Sequence, residues 1–130
     1  MRYLLLACML LAASSAYAIG PVLRSCTLTW GAPTTNADGT ALTDLAKYNV
    51  YVAATSGVYS TPTAIVNSPK AAPAPGDTAS WVCTGLTQGQ HYAVVTAVDS
   101  ASNESTRSNE VPFVIDVVPP NAPAGLSVGP

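Results

Sequence analysis

The chain has 130 residues, and its five basic and seven acidic side chains make up only 9% of it. This sparse, slightly acidic charge excludes the clusters of Lys and Arg that a nucleic-acid partner needs for its phosphates, and it disfavours an anionic membrane surface for the same reason. The length is sufficient for one domain with one hydrophobic core.

The first 18 residues have the pattern of a secretory signal peptide. Arg2 is a short basic region, Leu4–Ala13 is apolar, and Ala16–Ala18 is a cleavage site of small residues around a tyrosine. The apolar run is too short to anchor the chain in a bilayer, and no later stretch is predicted to cross one. A lipoprotein signal is an alternative, because Leu5–Cys8 resembles a lipobox, but it leaves almost no apolar residues before the cut. We therefore expect a secreted or periplasmic protein that begins at Ile19.

Alternating apolar and polar residues predict that the mature chain is made of strands, and its sequence has no helical period. The predicted strands are Cys26–Trp30, Tyr48–Val52, Thr63–Asn67, Thr78–Thr84, Tyr92–Val98 and Glu110–Asp116. Polar stretches rich in Gly, Pro, Asn and Asp separate them. The side chains predicted to form the core are those of Leu28, Trp30, Tyr48, Trp81, Leu86 and Tyr92.

The stretch from Trp81 to Asp99 has two β-type runs on either side of a polar corner, Gly85–Gln90. Leu86 stands at the start of this corner, and Tyr92 follows six residues later. The spacing is typical of a chain that crosses from one sheet to another, with the leucine filling the core below and the tyrosine hydroxyl bound to backbone at the bend. It predicts the tyrosine corner of an immunoglobulin-like sandwich.

Four motifs in order resemble those of a bacterial-type fibronectin type III domain. They are Leu28-Thr29-Trp30, Asp38-Gly39 before Leu45-Ala46-Lys47-Tyr48, the Gly85-Leu86…Tyr92 corner, and Asn103-Glu104-Ser105…Ser108-Asn109-Glu110-Val111. The resemblance extends from Ser25 to about Val114. It implies an all-β sandwich of about seven antiparallel strands in Greek-key order, with strands A, B and E facing C, C′, F and G. The expected domain spans residues 19–116.

The corner is the first place where the sequence departs from this family. Relatives usually have one more residue between the corner tyrosine and the Asp that ends strand F. Either Tyr92 occupies the corner or His91 does, and the two choices turn opposite faces of the strand toward the core. The inward sets are Tyr92, Val94, Thr96 and Val98 in the first case, and Ala93, Val95 and Ala97 in the second. We expect Tyr92 at the corner, because a phenol supplies a large ring with a hydroxyl at its tip.

The second departure concerns strand A. Residues 19–25 are barely long enough for it, whereas the tail, residues 117–130, resembles the proline-rich lead into such a strand. Leu126 and Val128 of the tail alternate as in a strand. Our hypothesis is that residues 125–129 dock as strand A on the next subunit. The alternatives are a disordered tail and a tail that folds back onto its own domain.

Two cysteines, Cys26 and Cys83, remain after Cys8 leaves with the signal peptide. An even pair in an oxidising compartment is expected to form a disulfide. In the family the strands that carry the pair are neighbours, but the family alignment places Leu28 opposite Cys83, so a diagonal pair is expected. Two cysteines and one histidine do not make a zinc site, and no cofactor is expected.

No constellation of residues predicts catalysis, and we expect no enzyme activity. His91 is the only histidine of the chain, and no nucleophile or carboxylate is near it in sequence. Asp38-Gly39 lacks the regularly spaced oxygen ligands of a calcium loop and predicts a turn. Trp30 and Trp81 are placed on inward faces, which favours core packing over sugar stacking.

Residues for partner contacts are predicted on one strand face and in the loops. They are Tyr51, Tyr59, Asp38, Asp99, Glu104 and Arg107. Loops held on a rigid sandwich are common binding sites. We expect a non-catalytic exported module that binds a protein or glycan, acts as a spacer or assembles at a cell or virion surface. The alternatives are a structural subunit that polymerises through its tail and a carbohydrate-binding accessory domain of an extracellular enzyme system.

Overall fold

The computed structural model describes residues 20–130. The predicted signal peptide, residues 1–18, lies outside the described residues. Seven strands and no helix occur in the described part of the chain. The strands are β1 Val22–Leu23, β2 Thr27–Gly31, β3 Leu45–Ala53, β4 Ala64–Asn67, β5 Thr78–Val82, β6 Gly89–Asp99 and β7 Val111–Ile115.

The strands form two sheets, an arrangement consistent with the predicted β-sandwich. One sheet has five strands in the order β1-β7-β6-β3-β4, and the other contains β2 and β5. All neighbours are antiparallel except β1, which runs parallel to β7. The edge-to-face contact of Trp30 on β2 with Tyr48 on β3, with ring centroids 5.3 Å apart, joins the two sheets.

The inner faces of the sheets build a core with two apolar clusters. The cluster nearest the start of β6 contains Cys26, Ala93, Phe113 and Ile115, with Leu28 and Leu86 packed against it. The cluster nearest its end contains Leu42, Leu45 and Tyr48, with Trp30, Val95 and Ala97 packed against it. Trp81 is half-buried on β5, directly opposite Leu28. Tyr48 and Val50 are the largest fully buried side chains.

The corner residue is His91, near the start of β6, and the expectation of Tyr92 at the corner is wrong. His91 is buried, its Nε2 lies 2.7 Å from the carbonyl oxygen of Thr87, and its ring stacks on Phe113. Because side chains alternate along a strand, Ala93, Val95 and Ala97 follow His91 on the inner face, and Tyr92 points out and is half-buried. The imidazole of His91 supplies both the ring and the polar tip that the corner position needs.

The predicted disulfide joins Cys26 and Cys83. The two residues are directly opposite each other, because Thr27 pairs with Val82 and the Cys83 N–H donates to the Cys26 carbonyl at 2.8 Å. Their Cα atoms are 5.2 Å apart, within the usual range for such a bond. The expectation of a diagonal pair with Leu28 opposite Cys83 is therefore wrong.

The first strand is not in the sheet that the resemblance implies. Val22 and Leu23 pair with Val114 and Ile115 on β7, not with β2. Gly20 permits this approach, because an added Cβ would lie 1.8 Å from the carbonyl oxygen of Pro112. β2 consequently has β5 on one side and no strand on the other within residues 20–130.

Candidate functional site

Two tyrosines meet on the outer face of the five-stranded sheet. Tyr51 lies on β3, whose inward residues are Tyr48, Val50 and Val52, so alternation turns its ring outward. Tyr59, in the loop after β3, meets it edge to face with ring centroids 6.4 Å apart and planes at 69°. The Arg107 guanidinium lies 5.0 Å from the Tyr59 ring centroid, a cation–π contact.

Glu104 holds the first of these tyrosines in place. Its Oε1 accepts hydrogen bonds from the Tyr51 hydroxyl at 2.5 Å, the Thr96 hydroxyl at 2.5 Å and the Asn49 amide at 3.1 Å. These bonds, with that from Thr96 foremost, lower the pKa of Glu104 below its usual value. The same carboxylate raises the pKa of the Tyr51 hydroxyl. The phenol therefore remains a neutral donor.

Glu110 holds the second tyrosine in the same way. Its Oε1 accepts from the Ser56 hydroxyl at 2.5 Å, and its Oε2 accepts from the Tyr59 hydroxyl at 2.5 Å and the Gly57 N–H at 2.9 Å. The hydrogen bond from Ser56 is the main cause that lowers the pKa of Glu110. Burial is the main cause that raises the pKa of Tyr59, and its hydrogen bond to Glu110 is the next. The tyrosine surface, defined by Tyr51, Tyr59, Glu104, Arg107 and Glu110, is thus fixed by carboxylates at both rings.

The segment after β6 positions both carboxylates and Arg107. Asp99 binds the backbone and side chain of Asn103 at 2.8 Å and closes a turn. Ser105 and Ser108 then accept hydrogen bonds at 2.9 Å from the backbone N–H groups of β6 residues Ala97 and Val95. These serines hold residues 104–110 against β6 as an irregular extension of β7.

Four members of the tyrosine surface were predicted from the sequence, and Glu110 was not. No local pattern indicates it, because residues 104–110 bind β6 irregularly and strand alternation does not hold along them. Asp38 and Asp99, the other residues predicted to contact a partner, accept hydrogen bonds within the turns where they lie. Asp38 accepts from the hydroxyl and N–H of Thr40, which lowers its pKa, and Asn103 does the same for Asp99.

A second feature is an apolar groove between the sheets, beside the open edge of β2. Two hollows of about 390 and 400 Å³ adjoin each other at Leu28 and Val111, which line both of them. The apolar walls of the groove are formed mainly by Leu28, Trp30, Ala93, Val95, Val111 and Phe113. We call this feature the β2 groove.

Both carboxylates of the tyrosine surface accept several hydrogen bonds, and these bonds lower the pKa of each carboxyl group below its usual value. His91 is buried against Thr87 and Phe113. In residues 20–130 no group of three or more His, Cys, Asp or Glu is arranged to hold a metal ion.

Comparison of the chain with models of protein families, with curated proteins and with solved structures finds no match. Among the described residues, no helix has the length and apolar character needed to cross a membrane.

Proposed function

We propose that the chain is an exported, non-catalytic module with an immunoglobulin-like fold of the fibronectin type III kind, and that it binds a protein at a cell or virion surface through its tyrosine surface. The motif order and the corner bond made by His91 support this fold. The signal-peptide pattern and the Cys26–Cys83 disulfide support export to an oxidising compartment.

One observation carries the binding role, namely that two neighbouring tyrosines are immobilised on an outer face. Each hydroxyl is tied to a carboxylate at 2.5 Å, and Arg107 lies over one ring. Tyr and Arg dominate the energy of many protein interfaces, and a side chain ordered beforehand loses less entropy on binding. Such an array is better explained by a contact surface than by a solvated sheet face.

The ring geometry favours a protein over a glycan. Sugar stacking needs an open ring face, but the two planes meet at 69° and Arg107 covers Tyr59. Retention of the protein on chitin, cellulose or peptidoglycan, lost in Tyr59→Ala, would instead support a carbohydrate-binding accessory domain.

A site-specific photocrosslinker tests the proposal in the native host. Benzoylphenylalanine in place of Tyr51 should give an adduct of one defined mass, and the added substitution Arg107→Ala should reduce its yield at least about tenfold. The matched control carries the same probe at Thr84, which is exposed, and should give none. Equal adducts from both positions, or none from Tyr51, would contradict a binding role for this surface.

A further inference from the structure

We propose that the β2 groove receives the C-terminal tail of a second copy of this chain, with residues 124–128, one residue earlier than the segment expected from the sequence, added as a strand antiparallel to β2. This interaction is separate from the proposed contact at the tyrosine surface, which is on the outer face of the other sheet. It requires an open strand edge, an apolar groove beside that edge, and a free segment of matching length and pattern.

The open edge of β2 carries unpaired backbone groups. Cys26 and Ala32 bond toward β5, through the N–H of Cys83 and the carbonyl of Asp77. Bonding direction alternates along an antiparallel strand, so Thr27, Thr29 and Gly31 point their N–H and C=O groups away from β5. No strand pairs with them in the described part of the chain. An edge of this kind is a template for another strand.

The groove beside this edge is where one further strand would fit. β1 pairs with β7 and does not occupy this position. The side chains of Leu28 and Trp30 on β2 face an apolar wall across the hollow, formed by Ala93, Val95 and Val111. An added strand would place every second side chain in this apolar space and the others toward solvent. The groove thus selects a segment with alternating apolar residues.

The tail has this pattern and is free to dock. All residues from 116 to 130 are exposed, and Leu126 and Val128 are 100% and 97% exposed. Ala124, Leu126 and Val128 alternate with Gly125 and Ser127, giving five residues to match the five of β2. No side chain of residues 117–130 is charged, and their prolines lie outside this five-residue segment. A strand added at this edge needs apolar side chains at every second position, and it tolerates neither a charged side chain in the groove nor a proline that removes a backbone donor.

Strand direction favours a second copy over the chain's own tail. β7 ends at Ile115, which pairs with Gly89 at the start of β6. Leu23 also pairs with Ile115, and β2 starts only a few residues after Leu23, so β2 begins at this same end of the two sheets. The tail therefore leaves from the end at which β2 starts. To pair antiparallel to β2, it would have to pass the whole groove and reverse. A neighbour stacked end to end delivers its tail in the required direction.

Residues 117–123 would connect β7 of one copy to the strand added to the next copy. Residues 117–123 span up to roughly 23 Å when extended, and Pro119, Pro120 and Pro123 stiffen them against reversal. The contact joins different surfaces of the two copies, so in a dimer one copy keeps a free groove and the other keeps a free tail. Such a heterologous contact produces open chains of subunits unless the rotation closes a ring.

Light scattering on the full mature chain over a range of concentrations tests the proposal. The wild type should form dimers and longer species, and Leu126→Asp should raise the concentration for half assembly at least about tenfold, because a charge cannot enter the groove. Ser127→Asp, with its side chain toward solvent, is the matched control and should assemble. On the groove side, Thr29→Pro removes an N–H from the open edge. Its control is Ser80→Pro, directly opposite in the same sheet with its N–H toward the other edge.

A mixture of the two defective variants gives the sharpest result. Leu126→Asp retains an intact groove and Thr29→Pro retains an intact tail, so together they should form dimers that do not grow, while each alone stays monomeric. Thermal unfolding of each variant checks that it is folded. A wild type that stays monomeric at high concentration would overturn the proposal. So would equal assembly of wild type and Leu126→Asp, or a protease-resistant tail in a monomer, which would indicate fold-back.

Discussion

At the scale of single residues, His91 and Tyr92 exchange the roles that we expected of them. The buried imidazole binds the Thr87 carbonyl at 2.7 Å and stacks on Phe113, while the Tyr92 ring is half-buried on the outer face. We predict that His91→Ala lowers the free energy of unfolding by about 2–4 kcal/mol, through lost packing and an unpaired carbonyl. Tyr92→Ala should cost about 1–2 kcal/mol. Urea denaturation of both variants measures the difference.

A third substitution separates the two contributions of His91. His91→Phe retains an aromatic ring against Phe113 but cannot bind the Thr87 carbonyl, so it should cost about 1–2 kcal/mol of unfolding free energy. A larger loss for Tyr92→Ala than for His91→Ala would mean that Tyr92 faces the core after all.

Protonation of Glu104 makes the stability of the folded protein depend on pH. Hydrogen bonds from Thr96, Tyr51 and Asn49 lower its pKa in the folded protein below the ordinary 4.5. A lowered folded pKa contributes stability that is fully present above the unfolded pKa and is lost as pH falls through the folded value. We predict that Glu104→Gln costs at most about 1 kcal/mol at pH 7, because the group is exposed and screened, and that the variant loses less stability than the wild type between about pH 5 and 3.

The measurement is the unfolding free energy by urea titration at several pH values. Glu110 has its own lowered pKa, so the double variant with Glu104→Gln and Glu110→Gln should have a still flatter profile. Parallel profiles for wild type and Glu104→Gln would show that the folded protein does not hold this carboxylate as we describe.

At the scale of elements, the six longer strands were predictable because each is a run of β-type residues between turn-forming stretches, and β2, β4 and β5 also alternate over a half-buried face. β2, for example, is found one residue from its predicted start. The corner residue was not predictable because both faces of β6 are apolar, and only the position of Thr87 in space chooses between them. β1 was missed because two residues carry no period. Its position depends on Gly20 meeting Pro112, a contact 92 residues apart in sequence.

The candidate site was predictable in its residue types but not in its geometry. Alternation along β3 placed Tyr51 on the outer face, as found. Glu104 and Glu110 reach the two tyrosines because Ser105 and Ser108 bind the backbone of β6 and fix the segment between the two carboxylates. A single sequence does not encode that approach in any local pattern.

The disulfide is the covalent tie between β2 and β5, which form a sheet of only two strands. It closes a loop between residues 57 positions apart, and a closed loop of that length restricts the unfolded chain. We predict that Cys83→Ser lowers the free energy of unfolding by about 2–4 kcal/mol. Urea denaturation checks the loss, and reduction of the wild type should reproduce it. Two thiols that alkylate in the folded, unreduced protein would contradict the bond.

At the scale of the whole molecule, the two proposed contacts are independent. The tyrosine surface is on the outer face of the five-stranded sheet, and the β2 groove is between the sheets. Tyr51→Ala should therefore leave the concentration for half assembly within about twofold of the wild type while it weakens partner binding, since distant sites act additively. A large loss of assembly in Tyr51→Ala would show that subunits join through the tyrosine surface instead.

The central claim, that the open edge of β2 takes up the tail of another copy, is tested most directly by amide hydrogen exchange along the two-stranded sheet. The N–H groups of Thr29 and Gly31 point to the open edge, and that of Ser80 points to the opposite one. We predict that all three exchange rapidly at low protein concentration, and that Thr29 and Gly31 alone slow at least about tenfold when the concentration rises. Unchanged exchange at Thr29 and Gly31, or equal slowing at Ser80, would contradict the claim.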